Sequence, residues 1–131
     1  MAFVNLMLDS SRSDAQKSEA KEIAWATLAP PCGNDLQLIQ QDVVAGVAHL
    51  LCIDEEFYTV IRPEIAANGL ELVIVAASGV NSVKHVSAIH AKAKADGFKS
   101  VRIHTKHPDA FLRMGRDLGY ERAETIIRAE L

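Results

Sequence analysis

Two hydrophobic periods alternate along this chain, and the switches between them mark out its elements. From Ser13, with Gln16 three residues on in a capping-box pattern, Ala20, Ile23, Ala24, Thr27 and Leu28 recur at helical spacing. Pro30 and Pro31 are expected to stop that helix, because proline has no amide to give its interior. The stripe then resumes. Asn34 and Gln37 offer a second cap, and Leu36, Ile39, Val43, Val47 and Leu50 predict a helix over roughly residues 35 to 48. Short apolar runs read as strands: FVNLML (3–8), HLLCID (49–54) and FYTVIR (57–62). The last two flank Asp54, Glu55 and Glu56, which predicts an antiparallel pair, and Pro63 is expected to end the second.

After the turn signal AANG, the run LELVIVAA (70–77) is apolar at nearly every position, as in a strand covered on both faces. Val80 through Asp96 predicts a helix with Val83, Val86, Ile89, His90 and Ala93 on one side, Lys84, Lys92 and Lys94 largely on the other, and Gly97 as its left-handed close. KSVRIHT (99–105) predicts a strand. Pro108 opens a helix through Phe111, Leu112, Met114, Gly115 and Leu118 to Gly119, and ETIIRAEL (124–131) predicts a last strand. Strand, helix and strand from residue 70 onward form a βαβ unit, which requires parallel neighbours. The fold class is therefore α/β with a mixed sheet, in one domain spanning residues 1–131.

Composition narrows the function classes. A net charge of −3 and a pI near 5.9 give no electrostatic footprint for a polyanion, so nucleic acid is not expected as a partner. The longest apolar runs fall far short of the ~20 residues that cross a bilayer, and the N-terminal stretch has no basic region before a long apolar one. A cytoplasmic location without membrane contact is the expectation. Cys32 and Cys52 are not arranged as a CxxC pair and read as free thiols. The five histidines form no HExxH, and His85 and His90 are five apart, which does not share one helix face, so no metal is expected.

Residues 69–120, GLELVIVAASGVNSVKHVSAIHAKAKADGFKSVRIHTKHPDAFLRMGRDLGY, resemble the GCN5-related N-acetyltransferase (GNAT) family. The likeness is carried by the helix ending in AKADGF, the strand KSVRIHT and the closing DAFLRMGRDLGY. It implies a central mixed sheet flanked by helices, with the fourth and fifth strands splayed apart. It also implies acetyl-CoA as cosubstrate, its pantetheine arm against main-chain groups of Val75 and Ala76. The pyrophosphate would rest on the turn Ala77, Ser78, Gly79, Val80, Asn81 and Ser82, where unpaired amides and the helix dipole favour an anion. His107 stands where the family often has an asparagine. An amine would be the acceptor, attacking the thioester directly, and a homo-oligomer is compatible with this reading.

Several positions depart from the family pattern. Ala77 lacks its polar side chain, Val80 stands where glycine is usual, and Gly115 falls where a tyrosine would protonate departing CoA. Tyr120 occupies the place of a packing aromatic. Two further readings follow: a catalytically inactive scaffold or assembly protein, such as the GNAT-like virion components of tailed phages, and an acyl-CoA sensor without turnover. Ser78 or Asn81 acting simply as a helix N-cap would explain the turn without any ligand. Lys84, His85 and Lys106 either add charge near a phosphate or form a solvated face. Glu71 reads as a base toward an amine or as a rim carboxylate, and Trp25 as packing for the first helix.

Overall fold

The computed structural model describes residues 3–131, in which five strands form one sheet in the order β1-β2-β3-β4-β5. These are β1 (Phe3–Asn5), β2 (His49–Ile53), β3 (Phe57–Ala66), β4 (Gly69–Gly79) and β5 (Ser100–Ile103). The first four pair antiparallel and β5 joins β4 in parallel, giving the mixed sheet that the sequence predicts. Helix α1 (Asp14–Cys32) and α2 (Leu36–Val44) precede β2, α3 (Ser82–Ala95) crosses from β4 to β5, and α4 (Pro108–Met114) follows β5.

The sheet has an apolar layer on each face. On one, Ala20, Ala24 and Leu28 of α1 and Val43 of α2 pack with Leu50, Cys52, Tyr58, Val60 and Ala76. Trp25 is partly buried against this layer, as expected for a packing residue. On the other, Val86, Ile89 and Ala93 of α3 meet Ile53, Phe57, Leu72 and Ile74, with Phe111 and Tyr120 packed alongside. Leu28, Leu50, Val60 and Ile74 are wholly buried, and removing such a side chain to alanine typically costs about 2–5 kcal/mol.

The Ser13 capping box forms as read, with the Gln16 amide and side chain engaging Ser13 reciprocally. The predicted stop at Pro30 and Pro31 does not occur, since α1 continues to Cys32. Both prolines fall in its last turn, where only a few intrahelical bonds remain to be lost, and Gly33 closes it by donating its amide to Ala29. A 3-10 turn, Gly33–Asp35, then leads into α2, so the predicted Asn34 cap is replaced by Asp35, which makes no side-chain capping bond. Helix α2 stops at Val44, short of the predicted 48. Pro63 lies inside β3, because β2 begins at His49 opposite Ile61 and leaves that edge of β3 free of a ladder needing the missing amide. Strand β1 spans three residues of the six expected. The last predicted element, 124–131, is no strand at all. No helix among the described residues is long and apolar enough to cross a membrane.

Candidate functional site

A single extra residue shapes the site. Val60 and Ile61 of β3 face Ala76 and Ile74 of β4, so Val75 is bulged out of the ladder. A bulge bends the strand that carries it and sharpens its twist. On its other side β4 pairs with β5 only from Glu71 to Ile74, and the last bond runs from the His104 amide to the Ile74 carbonyl (3.0 Å). Past that point the two parallel strands part. The buried Thr59 hydroxyl donates to the Ala76 carbonyl (2.8 Å), so the parted half of β4 stays fastened to β3 while its β5 side is open.

Between the parted strands lies a cavity of about 660 Å³. Val75, Ala77 and Ser78 of β4 line one wall, and His104, Thr105, Lys106 and His107 line the opposite one. Val83 and Val86 of α3, Phe111 and Met114 of α4 and the Gly115 that closes it give it an apolar flank. At the remaining end stand Cys32, Asp35, Leu38 and Asp42 from the α1–α2 region. The Cys32 thiol is pushed up by burial, with Lys106 opposing, so it is no ready nucleophile. His104 is held below the usual imidazole range by partial burial and then by the charges of Arg102 and Arg62, which keeps it neutral at neutral pH.

The sequence-predicted residues separate into two groups. Val75, Ala77, Ser78, Ser82 and His107 line the cavity. Ala76 instead points into the layer beneath α1, as its place beyond the bulge requires. Gly79, Val80 and Asn81 form the exposed turn above. Gly79 has φ 143° and lies so close to β3 that a Cβ would come within 2.3 Å of the Glu56 carbonyl oxygen, so glycine is needed both for conformation and for space. The Val80 amide donates to that same oxygen (2.8 Å) and is thereby engaged within the protein. Asn81 is the N-cap by position, in a left-handed conformation (φ 59°, ψ 44°), but makes no side-chain capping bond; Ser78 lies within β4. Neither side chain therefore caps α3, and the first-turn amides face outward with no intrahelical partner.

A cluster behind this turn escaped the sequence reading. His85 is wholly buried, stacks on Phe57 with ring centroids 5.3 Å apart, and its Nε2 lies 2.6 Å from Glu56 Oε1. The Asn81 amide donates to the same carboxylate oxygen (3.2 Å). The His85 hydrogen bond, then that of Asn81, holds the Glu56 carboxyl below its usual range. His85 thus serves to hold the turn and does not reach a phosphate, while Val83, predicted for the buried stripe, is exposed at the cavity rim. Asp54, Glu56 and His85 bring donor atoms within 4.8 Å of one another, the one such group of three among the described residues. His85 stands 29 residues from Glu56, so local spacing gives no sign of the group; the turn at Asp54 and Glu55, at φ 52° and 55°, brings Glu56 round to α3.

Glu71 is the rim carboxylate, accepting from Arg102 (2.8 Å) and Ser100 (2.8 Å) and lying outside the cavity. Tyr120 packs as expected, edge-on to Phe111 and hydrogen-bonded to His90, with its hydroxyl pushed well above the usual range by burial.

No family model matches the chain, and no curated protein matches it in sequence. Solved structures do match in shape. A transcriptional regulator from Bacillus halodurans C-125 superposes with a TM-score of 0.61 at 11% identity, over 99% of both chains. An aminoglycoside N-acetyltransferase in complex with CoA gives 0.55 at 11% identity over 91% of both, and a ribosomal-protein-alanine N-acetyltransferase from Brucella melitensis biovar Abortus 2308 gives 0.57 at 12% over 98% of both. Across nearly its whole length, with its sheet parted beyond Ile74, this chain has the GNAT fold.

Proposed function

We infer that the chain binds an acyl-CoA in the cleft between β4 and β5 and transfers the acyl group to an amine. The observation that carries this reading is the parting of the two strands past Ile74 and Ile103, which leaves a cavity about 660 Å³ in volume beside the uncapped start of α3. A pantetheine arm is an extended amide chain, and main-chain groups of Val75 and Ala77 with no β5 partner suit it as a neighbouring strand would. The outward amides and dipole of the α3 start suit the diphosphate, although Val80's amide contributes nothing there.

In the transfer, the amine nitrogen attacks the thioester carbonyl carbon, the carbon–sulfur bond breaks, and the nitrogen loses a proton while sulfur leaves as thiolate. His104, neutral and at the parting point, takes the proton from the attacking amine. Asp35 and Asp42 at the far end place negative charge where a protonated amine would enter. With Gly115 on the cavity wall there is no hydroxyl at that position to protonate the thiolate. That absence favours a second reading, an acyl-CoA binder with little or no turnover on the same scaffold.

Thermal denaturation with acetyl-CoA tests the binding step, and thiol release over a panel of amines tests transfer. A rise in midpoint with ligand is expected, about 2.7 kcal/mol of stabilisation at a hundredfold excess over Kd. No shift at millimolar acetyl-CoA removes both readings; a shift without thiol release selects the second.

A further inference from the structure

We propose that Glu56, in the turn between β2 and β3, is a positioning residue that keeps the diphosphate seat at the start of α3 open, by holding the Asn81 side chain away from the amides it is placed to cap. The proposal rests on the acyl-CoA reading and adds to it a residue that acts only through its neighbour.

Asn81 stands at the N-cap position of α3, and its carbonyl accepts the first intrahelical bond, from the His85 amide (3.1 Å). Asparagine at such a position ordinarily has an extended backbone and turns its side-chain oxygen onto the amide two or three residues on, here that of Val83 or Lys84. Neither happens. The Asn81 backbone is left-handed, at φ 59° and ψ 44°, and no side-chain capping bond forms. An asparagine that capped its own helix would satisfy the amides that an anion needs.

Glu56 accounts for both departures. Its main-chain carbonyl accepts from the Val80 amide (2.8 Å), which fixes the chain immediately before Asn81. Its carboxylate accepts from the Asn81 side-chain amide (3.2 Å), and because a carboxylate only accepts, the Asn81 Nδ2 must face it. The same Oε1 lies 2.6 Å from His85 Nε2, and the His85 ring is wholly buried and stacked on Phe57. The carboxylate is thus fastened to a ring packed in the core, and Asn81 is fastened to the carboxylate. One effect runs the other way, since the negative charge of Glu56 opposes a diphosphate. What the seat needs from Glu56 is an acceptor oxygen and not a charge.

Calorimetry on the whole chain, comparing acetyl-CoA with S-acetylpantetheine, which has the arm but no diphosphate, tests this. Glu56→Ala frees Asn81 to cap α3 and is expected to weaken acetyl-CoA about tenfold while leaving S-acetylpantetheine unchanged. Glu56→Gln keeps the acceptor oxygen and should hold acetyl-CoA affinity at or above the parent's. Adding Asn81→Gly to Glu56→Ala removes the cap and should recover most of the loss. Equal weakening of both ligands by Glu56→Ala, no weakening of either, or no recovery with Asn81→Gly overturns the proposal. If Glu56→Ala does not fold, Asn81→Ser decides, because it supplies a cap and leaves Glu56 on His85. The same selective loss is then expected, with slower amide exchange at Val83 and Lys84 in the free protein; unchanged exchange and affinity overturn the proposal. A parent chain that binds neither ligand removes the acyl-CoA reading and this proposal with it, whereas a parent that binds the two equally tightly leaves the seat unused and overturns this proposal alone.

Discussion

The two halves of β4 belong to one strand and meet opposite fates. From Glu71 to Ile74 the strand is paired on both sides and its apolar side chains close the core; past the bulged Val75, from Ala76 to Gly79, it is paired only with β3 and borders a cavity. Val73 and Val75 are the same residue type two positions apart, yet the first is wholly buried and the second lines the cavity. The difference is register: one bulged residue, and a parallel neighbour whose ladder ends at the same level. A core and the wall of a cavity can thus be built from one strand, provided the backbone loses a partner midway.

That comparison can be broken from either half. The largest effect belongs to the paired half, where Ile74→Ala leaves a void among wholly buried neighbours and should lower unfolding free energy by about 2–5 kcal/mol in urea titrations. At the far end of the parted half, Gly79→Ala forces a side chain into φ 143° against the Glu56 backbone, and should cost about 1–3 kcal/mol in the same assay. Ala77→Leu sharpens the contrast. Its added methylenes enter the cavity, so the unfolding midpoint should stay near that of the parent, whereas acyl-CoA affinity measured by calorimetry should fall about tenfold or more. Equal losses of stability from Ala77→Leu and Ile74→Ala would mean that both halves are core.

Acid gives the smallest and broadest effect. His104 and His90 are held below the 6.5 of a free imidazole, both chiefly by burial, so the unfolded chain binds protons first as pH falls through that value. Their stabilisation is complete above it and is lost on going lower. Glu56, hydrogen-bonded by His85, and Glu64, hydrogen-bonded by Arg102, are held below 4.5, and their contribution is lost as pH falls further. Urea midpoints should therefore fall in two stages on acidification; a midpoint that rises between neutral pH and about pH 5 would contradict the sign.

Much of the fold was legible because burial leaves periodic marks. The Ser13 and Gln16 box, the α3 stripe of Val86, Ile89 and Ala93, and the doubly covered LELVIVAA each state their element directly. What stayed hidden was set by contacts remote in sequence. Nothing in LELVIVAA tells which valine bulges, because the choice rests on pairing with Val60 and Ile61. His85 looks like a surface residue between Lys84 and Val86 until the Asp54–Glu55 turn delivers Glu56 to it. Pro30 and Pro31 carry a correct local rule that a helix near its end escapes at small cost. The segment 124–131 has a strand's pattern without an intramolecular neighbour to make it one. For the site, the βα turn could be placed from the sequence, whereas the wall formed by Asp35, Asp42 and His104 needed the strands to part in three dimensions.

The most direct test of the central claim is a crystal structure of the chain grown with acetyl-CoA. The pantetheine arm is expected between Val75–Ser78 and His104–His107, with the diphosphate at the start of α3. Ligand seated elsewhere, or a cleft that stays empty at saturating acetyl-CoA, would contradict it.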